Sequence, residues 1–341
     1  MNESACFSDL SLYELDRYDW LLEHNGSLQG FTTRHGNLLQ EQVADAVELR
    51  AHQIIPASID ALVLSNENRK VLGHVLNEYK PASILVTDYD MATARSFVSG
   101  LFAIPLPEVV VLRVPSHVMP AHALGAVYSN GADKHLVVVP DQSFDPVGVL
   151  VRQLAVAAHY TLMRGKPGIA AMMSDDLTQA MVGQYAVLRF AAQHPEKCSV
   201  LRHLQLLVSG EFAKGLSKTP EMPMGFIASD LGEQLMRAYG TGMFRAVVQE
   251  LYESATNGRA IWFGSTNFTG SALALYLLGD DYGMTQFMQQ DSGSRKLGEK
   301  LKAAFGGEDG PDWFHSVQDG FNSRLATIMA MAVPELSSAS A

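Results

Sequence analysis

The sequence predicts an α/β (α+β) fold, with a small mixed sheet in the N-terminal half and a mainly helical C-terminal half. Three observations lead there. The β-branched runs at 108–114 and 135–139 read as strands, because branched side chains fit a pleated surface. Beyond Asp145-Pro146 the apolar residues recur at helical spacing for most of the remaining chain. The composition, 47% hydrophobic and 18% charged over 341 residues, is that of an ordered chain long enough to bury a large core. The organisation expected is an α/β part over 1–145, a helical part over 146–335 and a tail over 336–341, with a ligand cleft where the two parts meet.

Residues 1–35 are polar and aromatic, and Tyr13, Tyr18 and Trp20 are expected to dock a short helix onto the body. Helical spacing recurs at 37–51, through Leu38, Leu39, Val43 and Val47, and at 59–79, through Leu62, Val63, Val71, Leu72, Val75 and Leu76. Pro81 ends the second of these, and 83–86 reads as a short buried strand. Asp90 is placed to cap a helix over 91–102, which Pro105 and Pro107 terminate. A strand at 108–114 follows, then a loop with Pro and His, a strand at 123–128, a turn at 129–133 and a strand at 135–139 stopped by Pro140. Asp145 caps the next helix, and Pro146 takes its first position, where a missing N–H costs nothing. That helix, 146–164, is apolar nearly all round and should be central. Further helices are expected at 175–193, 199–212, 231–254, 271–278 and 294–305. The Ser- and Ala-rich end after Pro334 reads as a frayed tail.

Composition narrows the function classes. A net charge of -11, with no basic run to offset it, argues against nucleic-acid binding, which needs Lys and Arg to displace counterions. The cysteines, Cys6 and Cys198, are far apart and have neither Cys nor His at ligand spacing, so no disulfide framework and no thiolate metal site is expected. The N-terminus lacks the basic-then-apolar pattern of a secretory signal, and no apolar run reaches about 18 residues, the length a membrane helix needs. The expected location is cytoplasmic.

The order helix, strand, turn, strand and long buried helix is that of the upper half of a zincin peptidase. The segment Val149-Leu-Val-Arg152-Gln153-Leu-Ala-Val156-Ala-Ala-His159-Tyr160 resembles the metal-binding helix of the thimet oligopeptidase and oligoendopeptidase F family. There, His-Glu-x-x-His places two ligands on one helical face while the Glu polarises the metal's water, and a further His follows. Residues 180–190 are similar to that family's next helix, where a Glu ligand is expected, and 267–276 to its cleft-lining C-terminal helix.

On this alignment Arg152 replaces the first ligand, Gln153 the catalytic Glu and Val156 the second ligand, while His159 keeps the trailing His. Arg152 is a permanent cation, Val156 has no lone pair to give, and Gln153 takes no proton at neutral pH. No glutamate occurs between Glu108 and Glu196. The resemblance therefore implies a zincin-like protein whose zinc motif is lost, with no metal or other cofactor, no peptidase activity and a peptide or protein partner in the inherited cleft. Asp175 or Asp176 would pair with Arg152 in place of the metal. The partner would add along 135–139 as an edge strand, past His135, Val137 and Val139. It would face Asp175, Asp176, Gln184, Tyr185 and the surroundings of His159.

Other readings compete with this one. A core helix whose polar residues find hydrogen bonds accounts for Arg152, Gln153 and His159 without any ligand. An enzyme could use His159, Asp176 and Tyr185 in the same cleft, or the chain could be a scaffold subunit. His117, His122, His135 and His159 are a conceivable metal set, although His-x4-His in a Pro-rich loop matches no common spacing. Asp88 and Asp90 end an apolar run as in phosphoryl-transfer enzymes, but without a partner Lys or Gly-rich loop, so capping is the simpler role. Residues 264–270, rich in Gly, Ser and Thr, could cradle an anion ahead of a helix.

Overall fold

The structure is a computed structural model, and it describes residues 3–31, 57–78, 81–106, 109–166, 176–219, 223–254, 259–292, 295–305 and 311–339. The helix expected at 37–51 and Asp175 lie outside them. The chain is mainly helical, with a small mixed sheet. One hydrophobic core runs from Ile59 to Met329 and spans both sides of residue 145.

The sheet has three strands, β2 (Val109–Val114), β3 (Ala126–Asn130) and β4 (Lys134–Pro140), and β1 (Ile84–Leu85) pairs separately with β5 (Gln142–Ser143). Strand order is β2-β4-β3, with β2 parallel and β3 antiparallel to β4. Strand β4 is buried on both faces. Val137 and Val139 enter the main core, whereas Leu136 and Val138 pack with Leu21 of helix α1 (Glu3–Glu23) on the other side. An unbroken apolar run is the pattern of such a strand. The expectation that 135–139 is an edge is therefore overturned. The edges are β2 and β3. Strand β1 also departs from expectation, since Ile84 and Leu85 are exposed and only Val86 is buried.

Short helix α2 (Ala57–Asp60) precedes α3 (Asn66–Glu78), so the helix expected over 59–79 is broken at its start. Helix α4 (Asp88–Phe102) is capped by Thr87 rather than by Asp90. Asp90 sits one turn inside, where its carboxylate accepts from the Thr87 N–H at 2.8 Å and completes a capping box. Central helix α5 (Pro146–Arg164) begins as predicted, with Asp145 accepting from the Gly148 N–H at 3.1 Å. Nearly all of it is buried, between the sheet, α4 and α6 (Asp176–Gln193).

The remaining described helices are α7 (Val200–Ser217), α8 (Met224–Ile227), α9 (Asp230–Tyr239), α10 (Thr241–Ser254), α11 (Arg259–Tyr276), α12 (Asp281–Gln290), α13 (Leu297–Phe305) and α14 (Pro311–Ala339). Residues 264–270, which could have cradled an anion ahead of a helix, form the interior of α11. Their small side chains let helices touch. A Cβ on Gly210 of α7 would lie 2.9 Å from the Gly264 carbonyl, and one on Gly270 would lie 2.9 Å from the Met181 nitrogen of α6. Helix α14 passes through Pro334 to Ala339, where a frayed tail was expected. No helix among the described residues is long and apolar enough to cross a membrane.

Candidate functional site

A pocket of about 240 Å³ opens beside the outer edge of the sheet. Residues 124–128, leading into β3, form one wall, and Arg152, Gln153 and Val156 of α5 form its floor. Asp176, Gln179 and Ala180 of α6 and Trp262, Phe263 and Asn267 of α11 complete it. Positions 152, 153 and 156 share one helical face. The spacing that would converge zinc ligands here converges a cation, an amide and a methyl-bearing side chain.

Arg152 is 5% exposed. Its guanidinium donates to Gln184 Oε1 at 3.0 Å and to Asn267 Oδ1 at 2.6 Å. No carboxylate among the described residues lies within ion-pair distance of it. Burial pushes its pKa down to about 10. The ion pair expected with Asp176 is not formed. Arg152 meets α6 at Gly183 and Gln184, and Asp176 starts that helix, about 12 Å away along an axis rising ~1.5 Å per residue. A Cβ on Gly183 would lie 2.8 Å from Arg152 Cγ, so only glycine allows this approach. Asp176 lines the same pocket at its mouth, where it accepts from Trp262 Nε1 at 3.2 Å.

Gln153 donates its amide N–H to the Leu124 carbonyl and so ties the helix to the loop entering β3. The next residue, Gly125, has φ +77, and a Cβ there would lie 2.8 Å from the Val138 carbonyl. Glycine is what lets this wall turn so close to the central strand.

The other predicted site residues lie elsewhere. His135 Nδ1 is 2.8 Å from Ser129 Oγ and its Nε2 is 3.0 Å from Thr161 Oγ1, inside the sheet–helix interface. Burial lowers its pKa to about 4, helped by the Arg164 charge and opposed by Asp133. Val137 and Val139 are core residues and do not reach the pocket. His159 turns away, with Nε2 2.8 Å from Asp291 Oδ2, and Lys300 pairs with the same carboxylate. Tyr185 donates to Asp281 at 2.6 Å, beside Arg189. His159, Asp176 and Tyr185 therefore do not meet, and no acid–base set forms from them.

His117 borders a separate pocket beside the end of α1, and the His122 carbonyl accepts from Arg202 at 2.7 Å. With His135 and His159 committed as described, the four histidines do not assemble. Asp88 forms an exposed ion pair with Arg113 at 3.1 Å, and Asp90 completes the capping box begun by Thr87.

No protein-family model matches this chain, and no curated protein or solved structure is significantly similar to it.

Sequence reasoning missed Trp262, Phe263 and Gln179 as pocket residues. Asn267 opens the segment read as a cleft-lining helix, and it does line the pocket. Phe263 lies four residues earlier on the same helical face, a spacing that would have extended the segment backwards had 264–270 been read as helix. With the Asp176 carboxylate at its mouth, the pocket offers a buried guanidinium, amides and aromatic rings, and the guanidinium can hold an anionic group next to apolar surface.

Proposed function

We propose that the protein is a non-catalytic, peptidase-like binding protein that takes a peptide or protein segment into this cleft. The observation that carries the reading is the placement of Arg152, Gln153 and Val156, the three positions of the lost motif, on the floor of one pocket beside an antiparallel edge strand. An edge strand offers backbone groups to an added strand, while a pocket beside it selects a side chain or chain end. In this reading β3 takes the role first expected of 135–139.

The pocket is smaller than the ~300–1,000 Å³ typical of ligand sites. It suits one residue of a bound segment rather than a whole small molecule. A guanidinium carries five N–H donors, and the two bonds to Gln184 and Asn267 leave further donors for a ligand. Arg152, held among the described residues by the neutral amides of Gln184 and Asn267, would gain from a carboxylate, since charge-assisted bidentate pairs are the strong ones. The preferred occupant is therefore a segment presenting a carboxylate, at its C-terminus or on an Asp or Glu side chain.

The test is a titration with a pool of short N-acetylated peptides, prepared once with free C-terminal carboxylates and once as amides. Binding is followed by tryptophan fluorescence, since Trp262 stands at the rim. Saturable quenching by the free acids, weakened at least tenfold by amidation or by Arg152→Met, is the expected result. An equal response to acids and amides by both the native protein and Arg152→Met would refute the role of Arg152.

A further inference from the structure

A second cluster stands apart from the cleft, at the N-terminal ends of α5 and α7. Asp145, Cys198 and His203 are all buried and each offers one ligand atom, the three lying within 4.8 Å of one another. His203 Nε2 lies 2.9 Å from Asp145 Oδ2, Cys198 Sγ lies 3.4 Å from the same oxygen, and Cys198 Sγ lies 3.8 Å from His203 Nε2. Sequence reasoning passed over His203, five residues after Cys198, and Asp145 joins the pair only through tertiary structure.

We propose that Asp145, Cys198 and His203 bind a divalent transition-metal ion in tetrahedral geometry, with zinc as the best fit. Thiolate, imidazole and carboxylate are zinc's usual ligands, whereas calcium and magnesium take oxygen alone. Tetrahedral zinc at ordinary bond lengths sets N and O about 3.4 Å apart and S about 3.6 Å from either. The three separations depart from these by a few tenths of an ångström, and the largest departure, between His203 and Asp145, is a present hydrogen bond that an ion would replace. Asp145 Oδ1 is already held by the Gly148 N–H, which fixes the carboxylate and leaves Oδ2 to face the other two residues.

The charge balances. The ion displaces the Cys198 thiol proton to solvent, and the His203 proton moves from Nε2 to Nδ1, so one proton leaves and a dication meets two anionic ligands. The N-termini of α5 and α7 stabilise those anions. The fourth position is left for water or an incoming ligand, as in zinc sites with three protein ligands. His203 Nδ1 is buried without a hydrogen-bond partner among the described residues. An imidazole lacking that outer support binds metal about 10–100-fold more weakly, so the ion should be exchangeable. Cys198 follows the exposed turn at 194–197, which gives the ion a short way in.

The test is titration of the full chain, stripped with chelator and free of any His-tag, with Co²⁺ followed by Zn²⁺. One equivalent of Co²⁺ should produce a sulfur-to-cobalt charge-transfer band and the visible bands of a tetrahedral ion, and Zn²⁺ should abolish both. The band should vanish in Cys198→Ser, weaken in His203→Gln and persist in Cys6→Ser. No charge-transfer band in the native chain, or one that follows Cys6 instead, would overturn the proposal. None of the three residues borders the cleft pocket, so this result is independent of peptide binding.

Discussion

Replacing Arg152 by methionine separates what the guanidinium does for the fold from what it does for a ligand. Burial alone lowers its pKa from the ordinary guanidinium value to about 10. At ~1.36 kcal/mol per pH unit, keeping it charged in the folded state costs about 3 kcal/mol. Against this stand its bonds to Gln184 and Asn267, each contributing about 1.5–3 kcal/mol as hydrogen bonds from a charged donor. Methionine removes both sides of that balance while filling similar volume, and water in the pocket can serve Asn267. Unfolding free energy should therefore change by no more than about 3 kcal/mol. Binding should respond far more. Losing a bidentate carboxylate pair of about 3 kcal/mol raises Kd about 150-fold. Urea unfolding followed by circular dichroism gives the first quantity, and calorimetric titration with the best-binding free-acid peptide gives the second. A stability loss above about 5 kcal/mol would mark Arg152 as a fold-holding residue, in the range of broken buried pairs, and would refute this account.

Two other groups give clear expectations. The His135 pKa in the folded state lies below that of the unfolded chain, so its contribution is complete above about pH 6.5 and is lost as pH falls towards 4. The loss amounts to about 3 kcal/mol. Urea unfolding at pH 7 and pH 4.5 should show a drop about 2–3 kcal/mol smaller in His135→Gln than in the native protein, and equal drops would count against it. Asp291 is fully buried between His159 and Lys300. Burial pushes its carboxyl up, but those two partners prevail and hold it below the ordinary carboxylate range. Asp291→Asn should cost about 3–5 kcal/mol by removing the buried carboxylate that His159 and Lys300 share. A midpoint in thermal unfolding close to the native one would contradict that.

The elements that sequence exposes best are those whose pattern is fixed by local chemistry. The Asp145-Pro146 start of α5, the strands β2 and β4 and the long apolar face of α6 all follow from capping, branching and periodicity. What the sequence hid was pairing between distant elements. Leu136 to Val139 mark a strand covered on both faces, yet nothing local says which strand lies at the edge. His159 shares a helical face with Arg152, but two turns further along α5 the neighbour is Asp291 after α12 instead of the pocket. Residues 264–270 have the composition of a loop and the contacts of a helix, because glycine serves close packing as well as turning. Asp145, Cys198 and His203 are 58 residues apart at their widest and meet only through tertiary structure.

The backbone contacts along α11 also bear on how the cleft would select the segment proposed to bind there. Cβ atoms on Gly264 and Gly270 would lie 2.6 Å from Ala213 Cβ and 2.9 Å from the Met181 nitrogen, so the helix carrying Trp262, Phe263 and Asn267 is locked between its neighbours. Such a wall has no slack with which to mould itself around a poor fit. Little ordering entropy remains to be lost on capture, and mismatched segments should be rejected by shape before any polar contact is weighed. The cleft would thus act as a gauge of fixed bore, and a single added methyl at Gly264 or Gly270, outside the pocket itself, would change its calibre.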